Sequence, residues 1–261
     1  MKYSVFTKPW RELPIDELCK KISGWGFDGI EFPLRPGFHV EPQNAEKDLP
    51  ALSKKMREYG LTIMNVASGT DENIFAACQA AGVPIIRILP WFGVTKTYFD
   101  YEDEFRSYLD SLLPLCEKYN VKVGVQNHSG TMTYNSMELK SVLRGLNPAL
   151  VGAIWDAAHC GLAGETGTKG LEIIWDNLIQ VNLKNAYWKL KSGPEAEEAK
   201  WQPYMTLGRH GMTSYPKIIS CLKTRGYTGD ICLPAEYTNE HDVDRLTQLD
   251  LQYIRTLYDH S

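Results

Sequence analysis

Short apolar runs alternate with longer amphipathic segments along the whole of this chain. The runs Lys2 to Phe6, Gly29 to Pro33, Leu61 to Val66, Ile85 to Pro90, Val121 to Asn127, Val151 to Trp155, Ile179 to Lys184 and Asp230 to Glu236 have the length and β-branched content of buried strands. Between them, Asp16 to Trp25, Ala45 to Tyr59, Asp71 to Ala81, Glu102 to Tyr119, Ser136 to Arg144, Lys169 to Asn177, Ser214 to Arg225 and Asp242 to Tyr258 carry apolar residues at helical spacing. Strand followed by helix, repeated through 261 residues without a low-complexity linker, predicts an α/β fold. The expected form is a single (β/α)8 TIM-barrel domain over residues 1–261. An open doubly wound sheet is the alternative. A dinucleotide fold would need a glycine turn after the first strand, and TKPWRELP is not one, so no nucleotide cofactor is expected.

Successive strand side chains face opposite ways, so parity sorts them. In the fifth run Val121, Val123 and Val125 suit the helix layer, which turns Gln126 into the barrel and His128 toward its mouth. The same alternation sends Glu31, Asp156, Asn182, Lys184 and Glu236 inward from the second, sixth, seventh and eighth runs. Polar groups buried without partners cost about 1 to 3 kcal/mol each, so these residues must bond one another, water, a metal or a ligand. A (β/α)8 barrel carries its site at that end of the strands. His159, three residues after Asp156, joins them as a candidate acid or base.

The segment from Asn185 to Thr213 is too long for a plain connection and is rich in aromatics, among them Trp188. Trp10 and Trp91 follow other strands and belong to the same rim, and Arg209 supplies a cation there. Aromatic faces suit the C–H faces of a sugar-like ligand, and they equally suit a lid or a homo-oligomer contact. The run Glu195 to Glu198 reads as a solvated face of this loop.

Composition narrows the functional classes. A net charge of −4 gives no electrostatic footprint for nucleic acid. No stretch approaches the ~18 apolar residues of a membrane helix, and the start of the chain has no signal-like apolar core, so a soluble, cytoplasmic protein is expected. The six cysteines form no CxxC pair and read as reduced core residues.

The motifs GFDGIEFP, VGVQNHSG, WDAAHCGLAGE, VNLKNA, LGRHGMTSYPKII and GYTGDICLPAEY, in that order, resemble the xylose isomerase-like TIM-barrel family of sugar isomerases and epimerases. The resemblance implies a divalent metal held by a Glu, an Asp, a His and a Glu on strands five to eight, with the two glutamates moving a proton next to a carbonyl. Asp156 matches the Asp. Gln126 stands at the first Glu, Asn182 at the His and Pro234 at the last Glu, with Glu236 two residues on; Asn185 replaces a further acid. An amide has neither the charge nor the basicity of a carboxylate and ligates transition metals less well than imidazole. The resemblance therefore leaves at most a weak Mg2+ or Mn2+ site of Asp156, Glu236, Gln126 and Asn182.

The expected function is an isomerase or epimerase acting on a small polyhydroxylated carbonyl compound, with lyase or hydrolase chemistry on a similar ligand open to the same groups. Glu236 is the expected base, His128 or His159 the second acid or base, and Lys184 the cation facing the developing oxyanion. Glu31, Gln126, Asn182, Trp10, Trp91, Trp188 and Arg209 are the expected substrate contacts. The alternative is a catalytically altered barrel that binds a sugar-like molecule or serves as a non-catalytic subunit.

Overall fold

A computed structural model describes residues 1–260. Eight parallel strands close into a barrel: β1 (Lys2–Phe6), β2 (Gly29–Pro33), β3 (Thr62–Ala67), β4 (Ile85–Ile88), β5 (Lys122–Gln126), β6 (Val151–Asp156), β7 (Leu178–Asn182) and β10 (Asp230–Leu233), with β10 hydrogen-bonded between β7 and β1. The helices α1 (Ile15–Gly24), α2 (Ala45–Glu58), α3 (Glu72–Ala81), α4 (Tyr98–Tyr119), α5 (Ser136–Leu143), α7 (Gly167–Ile174), α8 (Tyr215–Thr224) and α9 (Val243–His260) follow the periodic segments, so the chain forms the expected (β/α)8 barrel. None of the described helices is long and apolar enough to cross a membrane.

Burial explains why the pattern works. Val123, Val125, Val151, Ala153, Trp155 and Val181 are completely buried against the helices. The opposite faces of the same strands fill the barrel. At Gly124 a side chain would press on Ile154, its Cβ only 2.5 Å from Ile154 Cδ1, so the barrel interior below Gln126 admits nothing larger than glycine there. All six cysteines are free, and all but Cys221 are buried.

Three features depart from the alternation and the loops expected. The long segment after β7 is ordered as an antiparallel ribbon, β8 (Asn185–Leu190) paired with β9 (Trp201–Thr206), with Tyr187 and Tyr204 stacked at 5.1 Å and the acidic run exposed at its tip. Immediately after β6, Asp156 caps a short helix, α6 (Ala157–Leu162), by accepting from the backbone N–H groups of Ala158 and His159 at 3.0 and 3.3 Å. That turn is too short to show helical periodicity in sequence. In β7, parity is broken once: β6 pairs Ala153 with Leu178 and Ile154 with Gln180, leaving Ile179 in a bulge.

Candidate active site

At the C-terminal end of the strands lies a cavity of about 160 Å3 into which Glu31, Gln126, His128, Asn182, Lys184 and Glu236 project. Pro234 lines it too, because β10 ends at Leu233 and the backbone then turns through Ala235, held at a φ of 53°. The pleat does not run to Glu236 as the alternation predicts; the left-handed turn at Ala235 swings Glu236 into the cavity instead.

The polar groups are joined into one web. Arg87, on β4, stacks over the Phe6 ring and donates to Glu31 and to Gln126 Oε1, the latter at 2.5 Å. Gln126 Nε2 donates in turn to Asp156 Oδ2 at 2.9 Å. Below them Asn65 donates to Gln180 at 2.7 Å, and Gln180 donates to Asn182 Oδ1 at 2.9 Å. Asn127 holds the backbone of Asp156 from both sides, accepting from its N–H at 2.7 Å and donating to its carbonyl at 3.1 Å.

Lys184 sits at the centre. Its ammonium donates to Glu236 Oε2 at 3.0 Å and to His159 Nε2 at 3.2 Å, and it stands 3.7 Å from Asp156 Oδ2. Burial disfavours the ammonium, but the Asp156 and Glu236 carboxylates outweigh it and raise the lysine above its ordinary range. Glu236 shows the reverse balance: burial would raise it, yet Lys184 and Lys8, the latter at 2.7 Å, hold its carboxyl well below the usual range. Asp156 is fully buried, and burial raises its pKa despite Lys184.

Two imidazoles border this web, their ring centres 3.9 Å apart. Burial, and then the charge of Lys184, lowers both, His159 strongly. His128 Nδ1 lies 2.6 Å from the Ser129 carbonyl, which accepts hydrogen bonds, so Nδ1 carries the proton and Nε2 the lone pair. His159 receives the Lys184 ammonium on Nε2, leaving its buried Nδ1 without a partner among the described residues.

The sequence reading passes over three cations of this cavity. Arg87 sits in the apolar run IIRIL, where the alternation that sends Ile86 and Ile88 to the helices turns it inward. Lys8 opens a single 3-10 turn and Arg35 lies in a loop, neither of which has a period to read. Conversely, four expected substrate contacts stand elsewhere. Trp10 donates to Asp244 at 2.7 Å and packs on Trp25, Trp91 packs on Phe105 and Tyr108, Trp188 donates to the Leu162 carbonyl, and the Arg209 guanidinium covers the Tyr253 ring. Trp10 borders a broader outer groove that shares Lys8 and Glu236 with the cavity.

The donor set does not fit a divalent metal. The amide oxygens of Gln126 and Asn182 already accept from Arg87 and Gln180, and an ammonium stands between the two carboxylates. A dication there would face Lys184 and Arg87 at close range. Among the described residues no three His, Cys, Asp or Glu side chains are grouped as metal ligands.

The sequence model of the xylose isomerase-like TIM barrel matches residues 19–257. The chain belongs to that family. Within reach of the family is an inosose dehydratase of Bacillus licheniformis, 26% identical over 245 residues that span 85% of this chain and 81% of the relative. Among solved barrels, the IOLI protein with a bound zinc atom superposes with a TM-score of 0.77 at 13% identity, covering 100% of this chain and 99% of its own. A 3-keto-D-glucoside 4-epimerase from E. coli superposes at 0.74 with 14% identity, covering 98% and 99%. At such identities these structures share the barrel alone with this family member.

Proposed function

We propose that this protein is an enzyme that removes a proton next to the carbonyl of a small polyhydroxylated substrate and uses the Lys184 ammonium to stabilise the oxyanion that forms. The observation that carries this reading is the position of Lys184: a permanently charged donor, bound by two carboxylates, at the cavity wall beside a neutral imidazole. A donor fixed in advance where negative charge develops is the arrangement that lowers such a barrier.

The structure alters which group suits the base. Glu236, neutralised by Lys8 and Lys184, is a weak base, and its role is to hold the ammonium. His128 faces the cavity with its Nε2 lone pair free of a hydrogen bond among the described residues and accepts the proton. Re-protonation of the same carbon on its opposite face gives the epimer; a proton delivered to the former carbonyl carbon, with one passing between the two oxygens of the enediol, gives the isomer; a proton delivered to a hydroxyl one carbon beyond the abstracted one expels water. Dehydration is the reaction named for the inosose dehydratase, and it starts from the same abstraction.

The test is solvent exchange. Chelator-treated protein is incubated in D2O with an inosose, a 3-keto-glucoside and a ketohexose, and the carbon next to each carbonyl is followed by NMR. Deuterium entering at least one substrate, and lost in His128→Ala, is the expected result. Ligand-induced thermal shifts with no exchange in any of them favour the binding-protein alternative, for which the doubly paired Glu236 is the supporting observation.

A further inference from the structure

The charges around the cavity do not balance. Lys8, Arg35, Arg87 and Lys184 face Glu31, Glu236 and the underlying Asp156, leaving one positive charge in excess. The pairing shows where it lies. Arg87 is bonded to Glu31, Lys184 bridges Asp156 and Glu236, and Lys8 closes on the other oxygen of Glu236. Arg35, on the loop after β2, lines the same cavity, and its guanidinium has no hydrogen bond or ion pair among the described residues. It is half-buried, so its charge is partly stripped of water while Glu31 and Glu236 act on it only from beyond ion-pair distance.

We propose that Arg35 is the anchor for a carboxylate on the substrate, so that the small molecule handled here is a sugar acid rather than a neutral sugar. A guanidinium presents two parallel N–H donors that match a carboxylate. The excess is a single charge, which a carboxylate cancels and a phosphate dianion would overshoot. The cavity of about 160 Å3 is also sized for a compact acid. With its acid group on Arg35, the substrate leaves its carbonyl to Lys184 and His128, which line the same cavity.

This inference rests on the cavity being the substrate site but not on turnover, so calorimetric binding tests it apart from catalysis. The probes are D-glucuronate and D-galacturonate, their neutral counterparts D-glucose and D-galactose, and D-glucose 6-phosphate. For at least one pair the acid should bind the wild-type protein at least ~10-fold more tightly than its neutral counterpart. Arg35→Gln should abolish that difference, Arg35→Lys should retain part of it, and His128→Ala should retain it in full. Acids bound no better than neutral sugars, a preference that survives Arg35→Gln, or tighter binding of the phosphate than of either acid would overturn the assignment. If the acid preference holds while solvent exchange fails with every substrate, the proton-transfer reading falls and the anion subsite stands.

Discussion

The Nζ of Lys184 lies 3.0 Å from Oε2 of Glu236, and the second oxygen of that carboxylate is taken by Lys8 at 2.7 Å. A side chain that the family resemblance offers as a metal ligand and base is here the counter-ion of two ammonium groups. With Asp156 at 3.7 Å from the same Nζ, the protein supplies its own cation between its two carboxylates.

Removing that cation should expose the carboxylates. Lys184→Met leaves Asp156 and Glu236 facing each other with one ammonium between them gone, and breaking a buried pair in this way costs about 3 to 5 kcal/mol. Added Mn2+ should recover part of the lost stability in the variant and leave the wild-type melting curve unmoved. A wild-type melt raised by Mn2+ to the same extent would contradict the assignment.

On the proposed reading His128, which lines the cavity, accepts the substrate proton, so His128→Ala should reduce exchange about 100-fold or more, the range expected for a general base. Glu236→Gln should act differently, because it loosens Lys184 without removing the base. Its loss should appear together with weaker ligand binding, and unchanged affinity in Glu236→Gln would be the contrary result.

Asp230, the first residue of β10, is a structural acid with a pH signature. Ser4 donates to its Oδ2, while its buried Oδ1 has no partner among the described residues. Burial raises its pKa from 3.8 to about 7. The folded state thus keeps a proton that the unfolded chain loses above pH 3.8, and stability falls as pH rises from there to about 7, where the full penalty is reached. A shift of that size corresponds to at most roughly 4 kcal/mol. Asp230→Asn should stabilise the protein in urea unfolding at roughly pH 8.5 and gain far less at roughly pH 5. An equal effect at both would mean that the carboxyl ionises normally.

The turn that delivers Glu236 runs through Ala235 at a φ of 53°, a conformation costing about 1 to 2 kcal/mol for a residue with a Cβ. Ala235→Gly should therefore keep or raise stability, by up to about 1 kcal/mol, once the added freedom of the unfolded glycine is subtracted. Ala235→Val should lower it. A destabilised glycine variant would show that the turn is not strained.

The barrel and half of the cavity were legible because β2, β5 and β7 alternate cleanly near their C-terminal ends, so parity alone carries Glu31, Gln126 and Asn182 inward. Glu236 was reached by the same rule for a different physical reason, since its strand stops three residues earlier and the Ala235 turn restores the direction. Arg87 was hidden by its neighbours: one cation in an apolar run does not disturb the strand signal, and the strand-four alternation has to be read to find it. Lys8 and Arg35 follow no period, and the tryptophans could not be sorted, because aromatic side chains that pack loops onto helices look the same in sequence as those that face a ligand.

The metal content of protein purified without chelator tests the central claim most directly. An ammonium between Asp156 and Glu236 predicts far less than one equivalent of any divalent metal per chain and solvent exchange that is unchanged by chelator. A stoichiometric, tightly held metal ion, with exchange lost on its removal and restored on its return, would contradict it.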